Sequence, residues 1–213
     1  MKVSVIMASF LAPYPGAASN RDKKFIRAVN SFKKQTYTDT ELLIVSDGCE
    51  ITNRLYLENF SNDSNIHLLP IPKQPLYGAL TRDIALQKAT GDICLYLDSD
   101  DVIGKTHIQT IVEQFTDDVD WVYYNDLMVL NKEFNKFFTR IVEPRYGSIG
   151  TSSIAHRNFY SEKYKELNQK PRWKNGYGHD WLYILDITSK GMQFKKLEKM
   201  PQYIVCHYAN GDF

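Results

Sequence analysis

Strand-like apolar runs that alternate with helix-like stretches, and that end in polar residues, constrain this chain more than anything else in it. "VSVIMASF" (3–10), "ELLIVSDG" (41–48) and "DICLYLDSDD" (92–101) are such runs. Between them, "RDKKFIRAVNSFKKQ" sets Phe25, Val29 and Phe32 on one face at helical spacing, and residues 79–89 do the same with Leu80, Ile84, Ala85 and Ala89. "IHLLPI" is a weaker strand that Pro70 and Pro72 push towards a sheet edge. Alternation of this kind belongs to a mainly parallel sheet covered by helices. In open sheets of that type ligands lie beyond the carboxyl ends of the strands, where "ASF", "SDG" and "DSDD" fall.

Further along, "KTHIQTIVEQF" (105–115) reads as a helix and "WVYYNDLMVL" (121–130) as one strand. Residues 131–178 show no clean period. "DWLYILDITSK" resumes helical spacing and closes at Gly191, and "YIVCHY" is a last strand. The 213 residues suit a single domain, with a nucleotide-binding half over 1–105 and a second half over 106–213, and the abrupt end suggests a piece of a longer chain.

Composition narrows the partners. With 26 basic and 25 acidic residues there is no global field for nucleic acid or an anionic membrane. The three cysteines, Cys49, Cys94 and Cys206, form no C-x-x-C pair and fit a reducing compartment. No stretch has the length of a membrane span and the N-terminus reads as a strand rather than a signal peptide, so a soluble, cytoplasmic protein is expected.

The acidic turn carries the chemistry. Asp98, Asp100 and Asp101 repel one another unless a cation or hydrogen-bond donors stabilise them. Asp98 and Asp100 stand two apart; one can reach a hard cation, Mg²⁺ or Mn²⁺, while the other accepts from a sugar hydroxyl, or the cluster merely opens the next turn or caps a helix. Asp47 can accept the N3–H of a uracil ring or simply belong to an Asp-Gly turn. Arg82 can clamp phosphate or stay solvated. Asp180 can cap its helix, or act as a base towards a hydroxyl beside the apolar face of Trp181. His207 is a structural histidine or a metal ligand.

Taken in order, "VSVIMASF", "FIRAVNSFKKQTYTDTELLIVSDG", "GALTRDIALQKATGDICLYLDSDD", "GHDW" and a trailing "CHY" resemble the family 2 glycosyltransferases of GT-A fold, over nearly the whole chain. The resemblance implies an α/β, Rossmann-like mixed but mainly parallel sheet flanked by helices, a UDP-sugar donor, a glycan or glycoprotein acceptor and Mn²⁺ or Mg²⁺. Carried over residue by residue, Ala8 and Phe10 border the nucleoside, Asp47 reads uracil, and Arg82, Asp98 and Ser99 contact the donor. Asp100, Asp98 and His207 hold the metal, Asp180 is the base, and Trp181, His179, Tyr177 and Trp173 meet the acceptor. The chain departs from the family pattern at Ser46, where a second carboxylate is common, at Asp83 for the usual asparagine, and at His179 for the usual glutamate. Its loop at 11–20 is long enough to act as a lid. The chain length is also similar to that of a glycosyltransferase domain in larger algal-virus proteins. A sugar-nucleotide pyrophosphorylase is the rival enzyme, though no Gly-rich triphosphate loop follows the first strand; a non-catalytic nucleotide- or glycan-binding module is the third reading.

Overall fold

A computed structural model describes residues 1–15, 17–75, 78–130, 136–167, 169–174, 176–199 and 202–206. Its elements are β1 (Val3–Ser9), α1 (Arg21–Lys33), β2 (Thr40–Asp47), α2 (Glu50–Asn59), β3 (Ile66–Ile71), α3 (Ala79–Lys88), β4 (Ile93–Tyr96), β5 (Val102–Ile103), α4 (His107–Val112), β6 (Trp121–Tyr123), β7 (Asp126–Val129), β8 (Phe137–Arg140), β9 (Ile154–Arg157), α5 (His179–Ser189), β10 (Phe194–Lys196) and β11 (Tyr203–Val205).

Seven strands form the central sheet in the order β10-β6-β9-β4-β1-β2-β3. All neighbours are parallel except β9, which runs antiparallel between β4 and β6. The proline-bearing β3 lies at the edge, as expected for a strand that lacks the backbone donor of Pro70. The apolar runs are continuous rather than alternating because both faces of the sheet are covered. Val3, Val5 and Met7 of β1, with Leu42 and Ile44 of β2, pack on Phe25, Val29 and Phe32 of α1. The intervening Ile6, Leu43 and Val45 pack on the opposite face with Ala85 and Leu86 of α3 and Tyr183, Ile184 and Ile187 of α5.

The stretch 121–130 is not one strand. It breaks at Tyr124 and Asn125, so that β6 stays in the central sheet and β7 joins a second sheet, β5-β11-β7-β8. Asn125 spends its side-chain oxygen on the Val142 amide, and Tyr124, fully buried, bonds back through its backbone and hydroxyl to Ser153 and Ile154. The change of sheet carries Asp126 to Arg140, which borders a cavity together with Asp180. Helix α2 and strands β5, β8, β9 and β10 have no counterpart in the sequence reading.

Candidate functional site

The polar strand ends do converge. Backbone pairing places Ala8 and Ser9 of β1 against Val45 and Ser46 of β2, and Ile6 against Tyr96 of β4, so the residues that follow share one edge of the sheet. A cavity of about 540 Å³ opens there, walled by Ala8, Phe10, Asp47, Arg82 and Ser99 among the expected residues and by Tyr14, Arg21 and Lys73 among unexpected ones. Its volume lies in the range of small-molecule sites. The loop at 11–20 is fastened beside it, with Arg21 donating to the carbonyls of Phe10 and Ala12 and lying over the Tyr14 ring.

The three aspartates at the end of β4 have separate partners, which resolves their crowding. Asp101 is buried and structural: Tyr203 donates its hydroxyl proton to Oδ2 at 3.0 Å and the Cys206 amide donates to Oδ1 at 2.7 Å. The same Tyr203 oxygen accepts the Asp98 amide at 3.0 Å, so β11 clamps the acidic turn from below. Asp98 receives Arg82 Nη2 on Oδ1 at 2.8 Å and the Thr151 hydroxyl on Oδ2 at 3.3 Å. Asp100 is half-buried and its carbonyl accepts from Arg27 at 2.6 Å.

These oxygens suit a hard divalent cation. Among the described residues no group of three or more His, Cys, Asp or Glu gathers, and the turn offers the carboxylates of Asp98 and Asp100. That donor set fits an ion shared with a diphosphate. His207 lies outside the described residues.

Arg82 joins this turn to the second half. Buried in α3, it bonds Asp98 through Nη2 and His179 Nε2 through Nη1 at 3.2 Å, with its guanidinium 5.5 Å from the Trp173 ring centre. Burial works against its charge, but Asp98 and Asp180 more than offset that and keep it protonated. Its donation to Nε2, with Nδ1–H directed at the Gly176 carbonyl, fixes the neutral tautomer of His179, whose pKa burial lowers further.

Asp180 is not a cap. Gly178, at φ +74°, occupies the N-cap position of α5 without any side-chain cap, and Asp180 sits in the first turn where the helix dipole favours a carboxylate. Its Oδ1 is shielded from water without a hydrogen-bond donor; His179 Nε2 lies 3.1 Å away but presents its lone pair elsewhere, to Arg82. Burial raises the Asp180 pKa against the opposing pull of Arg82 and His179. A more basic carboxylate with an unsatisfied oxygen is a competent proton acceptor.

Beside Asp180 lies a smaller cavity of about 220 Å³, bordered by Tyr146, Tyr177, Trp181 and Arg140. Tyr177 is 80% exposed, whereas Trp181 is half-buried and packs against the core that holds Tyr183 and Ile184. Trp173, in contrast, is only 3% exposed: it stacks on Tyr183 at 4.3 Å, donates its indole N–H to Tyr96, and forms a floor beneath Arg82 and His179. It supports the site from inside rather than touching an acceptor directly.

Several residues escaped sequence reasoning. Asp83, the odd residue after Arg82, accepts from Arg172 at 2.6 Å and from the Trp173 amide at 3.3 Å, which pins the floor segment. Asp126 chelates Arg140 through Nε and Nη2 and takes the Ser152 hydroxyl. Only Gly48 gave a usable signal for Lys73. At φ +61° a Cβ there would lie 2.8 Å from the Lys73 nitrogen, so the turn after Asp47 needs glycine for the 72–74 segment to come close.

Residues 17–191 match the Glycosyl transferase family 2 profile. The chain belongs to that family. It is 34% identical over 122 residues to the uncharacterised glycosyltransferase alr2836 of Nostoc, covering 56% of this chain and 34% of that protein. It is 32% identical over 146 residues to the Escherichia coli glucosyltransferase WfgD, covering 67% and 51% respectively. Thus the chain spans from about a third to half of the length of these curated relatives. Among solved structures, Staphylococcus aureus TarS 1–349 in complex with UDP superposes with a TM-score of 0.73 at 18% identity, over 97% of this chain and 60% of TarS. The mannosyltransferase PcManGT of Pyrobaculum calidifontis, solved with GDP-Man and Mn²⁺, gives 0.63 at 13% identity over 97% and 56%. These likenesses show the GT-A-like mixed α/β fold. No helix of the described residues is long and apolar enough to cross a membrane.

Proposed function

We propose that the protein transfers a sugar from a UDP-sugar to a hydroxyl of a glycan or glycoprotein, with a divalent cation and with Asp180 as base. The observation that carries this reading is the position of Arg82: one buried guanidinium bonded to the donor-side Asp98 and, through His179, placed beside the unsatisfied Asp180. Names of similar proteins agree with a nucleotide-sugar donor: WfgD is called a UDP-Glc glucosyltransferase and TarS was also solved with UDP-GlcNAc.

In this reading Ala8 and Phe10 border the nucleoside, Asp47 accepts the uracil N3–H, and Asp98 and Ser99 meet ribose or donor sugar. Asp100 and Asp98, with His207, hold Mn²⁺ or Mg²⁺, which when bound supplies positive charge to the departing diphosphate. Arg82 adds a fixed cation on the same side. Asp180 removes the proton of the acceptor hydroxyl as that oxygen attacks the far face of the anomeric carbon, so configuration inverts. Trp181 and Tyr177 offer apolar faces to the acceptor, while neutral His179 holds Arg82 and Asp180 apart without competing for the proton.

A panel of UDP-sugars with Mn²⁺ tests this by UDP release. Release from at least one donor, lost on chelation and in Asp100→Ala with melting unchanged, is expected. No release from any donor, or full release by chelated Asp100→Ala, rejects the proposal.

A further inference from the structure

A separate cavity, of about 580 Å³, lies at the far end of α5 from Asp180 and gathers positive charge. Among the described residues Lys170, Arg172, Lys174 and Lys190 line it with a single carboxylate, Asp186. That carboxylate is already engaged by Lys190 Nζ at 2.8 Å, Lys174 Nζ at 3.5 Å and the Arg172 amide at 2.9 Å. Burial would raise the Asp186 pKa, but Lys190 and the Arg172 amide hold it below the ordinary value. Arg172 bonds Asp83 at 2.6 Å behind the wall. Lys170 Nζ stands 5.2 Å from the centre of the Tyr160 ring, with no carboxylate partner among the described residues. Two carboxylates therefore answer four cations, in a chain whose overall charge is +1. A concave wall with such an excess focuses its field on an anion. Lys174, its side chain 62% exposed, can turn from Asp186 to a ligand at little cost, because exposed ion pairs are weak.

We propose that this cavity is a distal acceptor subsite, which holds a phosphate or carboxylate group of an acidic glycan through Lys170 and Lys174. This rests on the glycosyl-transfer reading above. Asp180 stands in the first turn of α5 and Lys190 closes the helix, about 15 Å further along its axis. A glycan whose reacting hydroxyl lies at Asp180 reaches the cavity only by extending through several sugars, with its acid set back from the reacting end. Ammonium groups act on either acid as point charges. A neutral glycan would leave the excess charge of the wall unanswered.

Calorimetric titration of the wild type with pentamannose 6-phosphate, a galacturonate pentamer and neutral mannopentaose tests the subsite. At least one acidic pentamer is expected to bind at least about tenfold tighter than mannopentaose, as one charge-assisted hydrogen bond implies, and to weaken as salt is raised. Which of the two binds tighter separates a phosphate from a carboxylate ligand. Lys170→Gln combined with Lys174→Gln is expected to abolish the preference, while UDP affinity at fixed Mn²⁺ stays within about twofold of wild type. Lys170→Arg combined with Lys174→Arg keeps both charges and is expected to keep the preference, which covers a failure of the Gln variant to fold. Equal binding of the three pentamers by wild type, binding of none, or an unaltered preference in the Gln variant overturns the subsite; release of UDP from a UDP-sugar then leaves the transfer reading standing. Acidic pentamers that bind while no UDP-sugar releases UDP overturn the acceptor role together with that reading.

Discussion

The edge of the sheet around Asp47 and Asp98 and the neighbourhood of Asp180 solve opposite problems. At the sheet edge parallel strands deliver polar groups in register, and each is already bonded: Asp47 to Lys73 and Gln74, Asp98 to Arg82 and Thr151, Asp101 to Tyr203 and Cys206. On the other side loops and a helix start deliver an aspartate whose Oδ1 has no donor, beside outward aromatic rings. Prior satisfaction suits a site that binds the same ligand every turnover; an unsatisfied base suits the bond-making step. Arg82 bonds Asp98 on one side and His179, the neighbour of Asp180, on the other.

Removing that link should have the largest effect. Arg82→Met leaves Asp98 and Asp180 without their cation, and we expect kcat/KM for a UDP-sugar to fall by on the order of a thousandfold or more, with UDP affinity also weakened. A change confined to one parameter would separate the two regions after all. Next comes the support of the second half. Asp126 is fully buried and chelates Arg140, so Asp126→Ala should cost about 3–5 kcal/mol in denaturant unfolding. The strand ends that form the donor cavity should keep their UDP affinity wherever the variant remains folded.

These two regions were also unequally legible. The continuous apolar runs of β1, β2 and β4 and the polar residues closing them are local signals, and with the family resemblance they named Ala8, Phe10, Asp47, Arg82 and Ser99, which border one cavity. The partners of the neighbouring Asp98 and Asp83 come from far along the chain: Thr151 and Tyr203 lie 53 and 105 positions from Asp98, and Arg172 lies 89 from Asp83, and nothing local marks such pairings. The break between β6 and β7 was hidden for a related reason. Tyr124 and Asn125 satisfy their backbone and side chains through Ser153, Ile154 and Val142, contacts that exist only in the folded chain. Trp173 was expected at the acceptor from the family resemblance, yet Tyr183 and Tyr96 draw it inside.

Smaller effects sharpen the contrast. His107 is buried between Tyr124 and Tyr203 with neither ring nitrogen bonded, and burial lowers its pKa to about 3. A depressed histidine contributes stability that is present above its unfolded pKa and is lost as pH falls through about 3. His107→Leu should therefore shift the acid unfolding transition to lower pH, and at neutral pH should add about 1–2 kcal/mol by removing unsatisfied polar atoms. An unchanged acid transition would show that His107 does not limit the second half. Tyr177→Ala should leave melting and UDP affinity alone, since the ring is 80% exposed, while raising acceptor KM a few-fold, by roughly 1 kcal/mol of lost ring contact. Loss of UDP affinity instead would place Tyr177 on the donor side.

The division of labour is tested most directly by measuring, on one preparation of Asp180→Asn, both UDP affinity and the pH profile of sugar transfer. Because burial raises the Asp180 pKa, wild-type transfer should climb with pH through a value above the ordinary carboxylate range and then level off. The variant should bind UDP within about twofold of wild type, transfer sugar at least about a hundredfold more slowly, and lack that acid limb. Wild-type rates and an unaltered profile in the variant would contradict Asp180 as the base and, with it, the split between a binding edge and a reacting one.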